Sequence, residues 1–322
     1  MKLGVFTVLY QKLPFEQALD KLASMGAEAV EIGTGNYPGN AHCRPQELLD
    51  DPGAAMRFRK AVEKRGLFIS ALSQHGNPLH PEAQVARDAH ETWRATVQLA
   101  ELLEVPVVNA FSGCPGDQNG ARYPNWVTVS WPDDYTRILD WQWGEKVIPY
   151  WTEEARFADQ HGVDIGFEMH PGFVVYNPET LLRLREACGP RIGANLDPSH
   201  LFWQGIDAVE GIKLLGRELA IFHTHAKDTY LDRANIARNG VLDTKHYGRV
   251  LERSWVFRTV GYGQGEKVWR DIISALRAVN YDYVLSIEHE DSLMSIDEGL
   301  QKGIDVLKAI LFREERAQMW WA

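Results

Sequence analysis

Apolar positions along this chain follow two rhythms in turn. Eight short runs rich in Val, Ile, Phe and Leu stand out: LGVFTV, AVEIGT, FISALSQHG, PVVNAFSG, DIGFEMHP, RIGANLDPSH, LAIFHTHAKD and YVLSIEHED. Near-continuous apolar runs of this length are what strands covered on both faces require. Helical spacing of apolar residues occupies Phe15 to Met25, Gly53 to Lys64, Glu82 to Leu103, Glu145 to Gln160, Pro178 to Ala187, Asp207 to Leu215, Lys267 to Val279 and Ile296 to Phe312. Glycines punctuate the joins in MGAEAVEI, KRGLFIS and QHGVDIGF, where a residue just past the last helical turn must turn left-handed. Eight such alternations predict an α/β fold, a closed (β/α)8 TIM barrel, as one domain over residues 1–322.

An open, doubly wound sheet would alternate in the same way but should carry a G-x-G-x-x-G turn after its first strand. None follows LGVFTV, and GYGQG at Gly261 to Gly265 precedes a helix, so it reads as a turn and not as a phosphate cradle. Two connections are long, at about 114–144 and 229–266, and both follow strand C-termini. They hold Trp126, Trp131, Trp141 and Trp143 in the first case, and Tyr230, Tyr247, Trp255, Phe257 and Tyr262 in the second. As a group these rings are expected to give a pocket one or two of its walls, the rest covering helix tops.

Composition narrows the partners. A formal net charge of −10 disfavours nucleic acid, whose phosphates need a basic surface. Cys43, Cys114 and Cys188 are odd in number and widely spaced, which indicates neither a disulfide framework nor a thiolate site, and a reducing cytoplasm is expected. No segment approaches a membrane span, and LGVFTVLY stops at Gln11, Lys12 and Pro14 as a first strand would. The apolar tip Met319, Trp320 and Trp321 is assigned to packing or to contact between copies in a homo-oligomer.

The chemistry lies in the second half. Four consecutive strand-like runs end in metal-capable side chains: Glu168 in GFEMHP, Asp197 in ANLDPSH, His225 in FHTHAKD and Glu288 in LSIEHED. Glu168, Asp197 and His225 follow one another at intervals of 29 and 28 residues, about one strand plus one helix. In a parallel barrel the C-terminal ends of different strands converge on one site. Three converging acids would repel one another there unless a cation were shared. Two Glu, one Asp and one imidazole without sulfur suit Mn2+, with Mg2+, Co2+ or Zn2+ as further candidates. Each residue alone has a structural explanation, such as a cap for Asp197 or a core hydrogen bond for His225. Alternation along the strands adds His170, Asn195 and His223 to the inward face, while His75 and His200 should reach the rim. The metal is assigned to His225 because it lies nearer the strand's C-terminal end, and His223 to a supporting hydrogen bond.

With these segments in place the chain resembles the sugar phosphate isomerase/epimerase superfamily, the xylose-isomerase-like barrels, from KLGVFTV through ALSQHGNPLHP, FEMHPG, NLDPSHLFWQGID, FHTHAKDTY and FRTVGYGQGE to IEHEDSLMS. The resemblance implies that Glu168, Asp197, His225 and Glu288 are metal ligands. Its ketose 3-epimerases imply an acid/base pair of Glu168 and Glu288 and a substrate contact at His200. NLDPSHLFWQGID, HAKDTY and FRTVGYG also resemble the catalytic subunits of C-glycoside deglycosidases, which act on 3-oxo-glycosides and imply an acid/base role for His170. Those enzymes use a small β-rich partner subunit, and this chain contains no such second domain. The abasic-site endonuclease branch needs further ligands for a three-zinc cluster; Asn109 stands where a histidine would be wanted, and Asp243 and His246 have the wrong spacing.

The expected activity is therefore metal-dependent proton abstraction next to the carbonyl of a keto sugar, through an enediolate, as in a sugar isomerase or epimerase. The alternative is a lyase that cleaves a 3-oxo-glycoside by β-elimination, with a non-catalytic sugar binder and an endonuclease-like nuclease ranked below. Catalytic candidates are Glu168, Glu288 and His170, and substrate-contact candidates are His75, Asn109, His200, Lys227 and Arg258. Without an arginine cluster or phosphate loop, an unphosphorylated sugar or glycoside is expected.

Overall fold

The computed structural model describes residues 1–321. Its strands are β1 (Lys2–Phe6), β2 (Ala29–Gly33), β3 (Phe68–Ser73), β4 (Val107–Ala110), β5 (Asp164–Glu168), β6 (Ile192–Leu196), β7 (Ile221–Ala226), β8 (Asp228–Leu231), β9 (Trp255–Arg258) and β10 (Val284–Ile287). Eight of them close in the order β1-β10-β7-β6-β5-β4-β3-β2, every pairing parallel. This is the (β/α)8 TIM barrel that the eight apolar runs predict. The barrel strands are buried almost throughout because helices cover their outer faces, and this double burial explains why they read as unbroken apolar runs.

Two irregularities in the ladder matter for the interior. Between β2 and β3 the register slips at Val30/Glu31, so that Ser70 is the extra residue; between β6 and β7 it slips at Ala194/Asn195, with Phe222 extra. Bulges of this kind re-aim side chains, and both lie beside inward polar residues. The interior also needs glycine in two places. A Cβ on Gly166 would come within 2.5 Å of Asn109 Oδ1, and one on Gly193 within 2.3 Å of the Phe222 ring.

The two long connections carry more structure than the sequence indicates. The first contains a helix at Asp133–Trp141 that runs through a wider turn at Gln142–Val147 into the helix Ile148–Gln160. Trp143 is buried there beneath the Arg183 guanidinium, 4.1 Å from the ring, so it belongs to the core; Trp131 is exposed. The second folds into the antiparallel hairpin β8–β9, with the helix Arg233–Asn239 between its strands. The GYGQG turn is gathered by one carboxylate. Asp228 accepts hydrogen bonds from the backbone N–H groups of Thr229, Gly261, Gly263 and Gln264 and from the Trp269 indole. Among the described residues, no helix is long and apolar enough to cross a membrane.

Candidate metal centre and active site

Glu168 ends β5, Asp197 follows β6, His225 lies near the end of β7 and Glu288 follows β10. One donor atom from each of the four lies within 4.8 Å of those of the others. His225 Nδ1 is 3.4 Å from Glu168 Oε2, 3.9 Å from Asp197 Oδ2 and 3.3 Å from Glu288 Oε2. Asp197 divides its two oxygens. Oδ1 accepts the Ser199 N–H at 2.8 Å and so caps the helix Pro198–Trp203, whose first residue, a proline, has no N–H to satisfy. Oδ2 is left to the cluster. Both Asp197 Oδ2 and His225 Nδ1 are buried and make ion contacts without any well-directed hydrogen bond. Three carboxylates and one imidazole nitrogen, with two donor atoms unsatisfied in this way, fit a hard or borderline divalent cation.

The electrostatics are those of a crowded anionic pocket. Burial works against the charge on Glu168, yet the close imidazole nitrogens of His200, His225 and His75 hold its carboxyl well below the usual range. Burial likewise opposes the charge on Glu288, and the neighbouring Lys227 and His225 charges bring its pKa down to about 2. Burial would strip the proton from His225, but the charges of Glu31 and Glu288 and the nearby Glu168 carboxylate raise it well above the ordinary imidazole value. Lys227 adds a second cation, with Nζ 3.1 Å from Asp197 Oδ2, 2.5 Å from Glu288 Oε2 and 3.2 Å from Glu290 Oε2. The cluster thus collects positive charge from every side available to it.

The sequence reading passed over Glu31. It is fully buried on β2 and takes His225 Nε2 at 2.9 Å and 3.0 Å on its two oxygens, on the far side of the ring from the quartet. Ser73 and Ser286 donate to it at 2.5 Å and 2.7 Å, and Asn109 Nδ2 at 3.1 Å. A carboxylate that accepts the remote N–H of a ligand imidazole fixes its tautomer and orientation. The available signal was a lone charge inside AVEIG, an otherwise apolar run. A second layer accompanies it: His223 bonds Asn195 Oδ1 at 3.0 Å and Ser70 Oγ at 3.1 Å, the supporting role expected of that histidine.

The other expected site residues divide into two groups. His75 Nε2 and His200 Nε2 each stand 3.0 Å from a Glu168 oxygen, one on Oε2 and one on Oε1. His170 lies with its ring 4.1 Å from that of His200. Its Nδ1 contacts the Pro171 carbonyl at 2.6 Å, an acceptor only, so Nδ1 carries the proton and a neutral ring offers Nε2 as a base. Burial, joined by the His200 charge, depresses its pKa to about 3. Asn109 and Arg258 fall outside this group. Asn109 is wholly buried one layer down, bonded to Glu31 and close to His223, because its short strand ends below the rim. Arg258 sits on the hairpin and donates to Asp291 at 2.9 Å. Among the described residues neither pairs with a member of the quartet.

The chain matches the xylose isomerase-like TIM barrel family over residues 19–310. It is 38% identical to the uncharacterized protein YfiH of Bacillus subtilis (strain 168), over 96% of this chain and 98% of that one. Among solved structures it resembles a D-tagatose 3-epimerase-like protein, at 18% identity and a TM-score of 0.64 over 96% of this chain and 98% of that one. The IOLI protein with a binding zinc atom is similar at 18% identity and a TM-score of 0.64, over 97% and 99% of the two chains. The barrel order, the convergence of four strand ends and the match along most of its length together make this chain a member of the xylose isomerase-like TIM barrel family.

Proposed function

We propose that the protein is a metal-dependent enzyme that removes a proton from the carbon beside the carbonyl of a keto sugar, as sugar isomerases and epimerases do. The observation that carries this reading is the gathering of Glu168, Asp197, His225 and Glu288 around one point, with His75 and His200 both pressed on Glu168. Glu168, Asp197, His225 Nδ1 and Glu288 would hold the ion, with Mn2+ the first candidate from its oxygen-rich donor set. When bound it would supply Lewis-acid polarisation of a substrate carbonyl. The likeness to a D-tagatose 3-epimerase-like protein and to a zinc-containing neighbour supports the same reading.

The chain's own groups divide the remaining work. Glu168 and Glu288 are held ionised by their cationic neighbours and serve as the proton-transferring pair. His75 and His200 fix the Glu168 carboxylate through one oxygen each, so that its orientation survives proton transfer. Lys227 Nζ spends its three donors on Asp197, Glu288 and Glu290, so it would reach a developing oxyanion by exchanging one of them, the half-exposed Glu290 first. The enzyme reading calls for a small unphosphorylated sugar or glycoside, and it leaves the partner subunit of the deglycosidases as a proposal for copurification to answer.

A second reading, β-elimination from a 3-oxo-glycoside, is favoured by one observation. His170 carries its proton on Nδ1 and presents Nε2 as a base next to His200. One experiment separates the readings: the metal-loaded enzyme is incubated with keto sugars and keto glycosides in deuterated water and followed by NMR. Deuterium uptake with the sugar retained supports the isomerase or epimerase, and release of the aglycone supports the lyase. Absence of both across the substrate set overturns the proton-abstraction reading.

A further inference from the structure

The quartet occupies the C-terminal ends of the barrel strands, and the opposite end carries a groove of a different character. Pro106, Leu219, Phe222, Val279, Tyr281 and Tyr283 are among the residues that line a cavity of about 330 Å³ there, beside the starts of β4, β5, β7 and β10. A second cavity of about 180 Å³ shares Pro106 and Tyr283 with it and lengthens the groove. The polar groups of its walls are taken up within the protein. The Tyr281 hydroxyl donates to the Val284 carbonyl at 2.6 Å and the Tyr283 hydroxyl to the Ser70 carbonyl at 2.8 Å, while Asp164 accepts from Arg191 Nη1 at 2.9 Å. Such a groove offers carbon faces to its occupant, which suits an apolar side chain better than a sugar or an anion.

Leu219 marks the edge of this groove. It stands in the turn between the helix Ala208–Arg217 and β7, has a φ of +51° and is 75% exposed. Among the described residues, Asn36, Glu104 and Asn280 are the other non-glycine residues with positive φ, and all three are polar. Glycine fills the matching turns ahead of β2, β3 and β5, at Gly26, Gly66 and Gly162. A leucine in this left-handed conformation is strained, and in the single chain it gains no burial to offset the strain. Contact with an apolar partner would supply that burial.

The chain's own C-terminal stretch leads to this groove. After the helix Ile296–Ile310, Arg313 donates to Glu28 at 2.8 Å and the Glu314 carbonyl accepts from Arg277 Nη2 at 2.7 Å, which fixes the stretch against the same end of the barrel. Phe312 and Arg316 line a cavity together with Asn280, Tyr281 and Asp282, and those last three residues also line the apolar groove. The tip of Met319, Trp320 and Trp321 begins three residues further on, a reach of roughly 10 Å for extended chain. In the single chain this tip faces solvent: Trp320 is 88% exposed and meets Trp321 edge-on, with ring centres 5.7 Å apart. Two exposed indoles on an anchored strap beside an apolar groove find their complement when a second copy is related by a twofold axis and each tip enters the other's groove. Two such tips would bury roughly 600–1,000 Å² at about 150–250 Å² per ring. With a comparable area of groove covered, the total reaches the roughly 1,200–2,000 Å² of a stable interface.

We propose that the N-terminal end of the barrel is a homodimer interface in which each chain seats its Met319–Trp321 tip in the groove that Leu219, Phe222 and Tyr283 form on the other copy. The exchange is reciprocal, so it closes as a dimer and leaves both C-terminal ends of the barrels open to substrate. It stands independently of the reaction assigned to the quartet.

The test is sedimentation velocity, over a concentration series, of the full chain, of a chain ending at Gln318 and of the variant Leu219→Glu. Both changes fall at exposed positions outside the helices and strands, so circular dichroism should match the parent protein. The full chain is expected to sediment as a dimer, at twice the 36.5 kDa of one chain. Each variant should raise the dissociation constant of the dimer at least about tenfold, the scale of losing one buried aromatic anchor. Mixing the two variants should restore a dimer, because the shortened chain keeps an intact groove and Leu219→Glu keeps an intact tip, so the mixed pair retains one of the two contacts. A monomeric full chain overturns the proposal, whether its own tip folds back into the groove or a different protein is the occupant. A dimer that either variant leaves unchanged, or a mixture that associates no better than its components, overturns it as well.

Discussion

Glu31 shows how much one residue can carry at a distance from the chemistry. It touches no proposed substrate group, yet both of its oxygens face His225 Nε2, and two serines and an asparagine complete its shell. Glu31→Gln keeps the size and removes the charge that steadies the imidazole. Affinity for Mn2+ or Zn2+ is expected to drop by about 10- to 100-fold, measured by calorimetric titration, with the fold retained. Unchanged affinity would mean that the carboxylate merely fills space. The four residues of the quartet were legible in the sequence because each sits in the polar tail of an apolar run. Glu31 was harder to see, since its partners come from four other strands and no local pattern links them. Asn109 misled for a related reason: its position at the end of PVVNA points inward, but strand length, which decides depth, is not written in the residue types.

At the scale of elements, the strand count and order were legible and the long connections were not. Periodicity exposes a strand that is buried on both sides, whereas a hairpin lying over the rim mixes aromatic and charged residues without period. The hairpin β8–β9 depends instead on Asp228, which collects four backbone N–H groups and one indole. Burial raises the pKa of this carboxyl against those hydrogen bonds. Asp228→Ala would strand buried donors, and a loss of about 2–4 kcal/mol is expected in urea unfolding at neutral pH, because each unsatisfied buried group costs about 1–3 kcal/mol. If its stability matches the parent protein, water serves those donors and the carboxylate is dispensable.

For the molecule as a whole, the proposed cation shared by four strand ends would be a cross-link that only the closed barrel provides. The protein with Mn2+ at about 100 times its dissociation constant should be stabilised by about 2.7 kcal/mol over the chelated form, read as a rise in melting temperature that EDTA reverses. No shift would argue that the quartet is held by Lys227 and the histidines alone. The ladder irregularity beside Glu31 adds a mechanical consequence. That side chain reaches from β2 across the hollow to β3, β4, β7 and β10, like a spoke tying near wall to far wall. Gripping an ion on one side should therefore quiet the other: amide exchange in Ala29–Gly33, a stave that donates nothing to the cation, should slow on loading as much as it does in the staves that do.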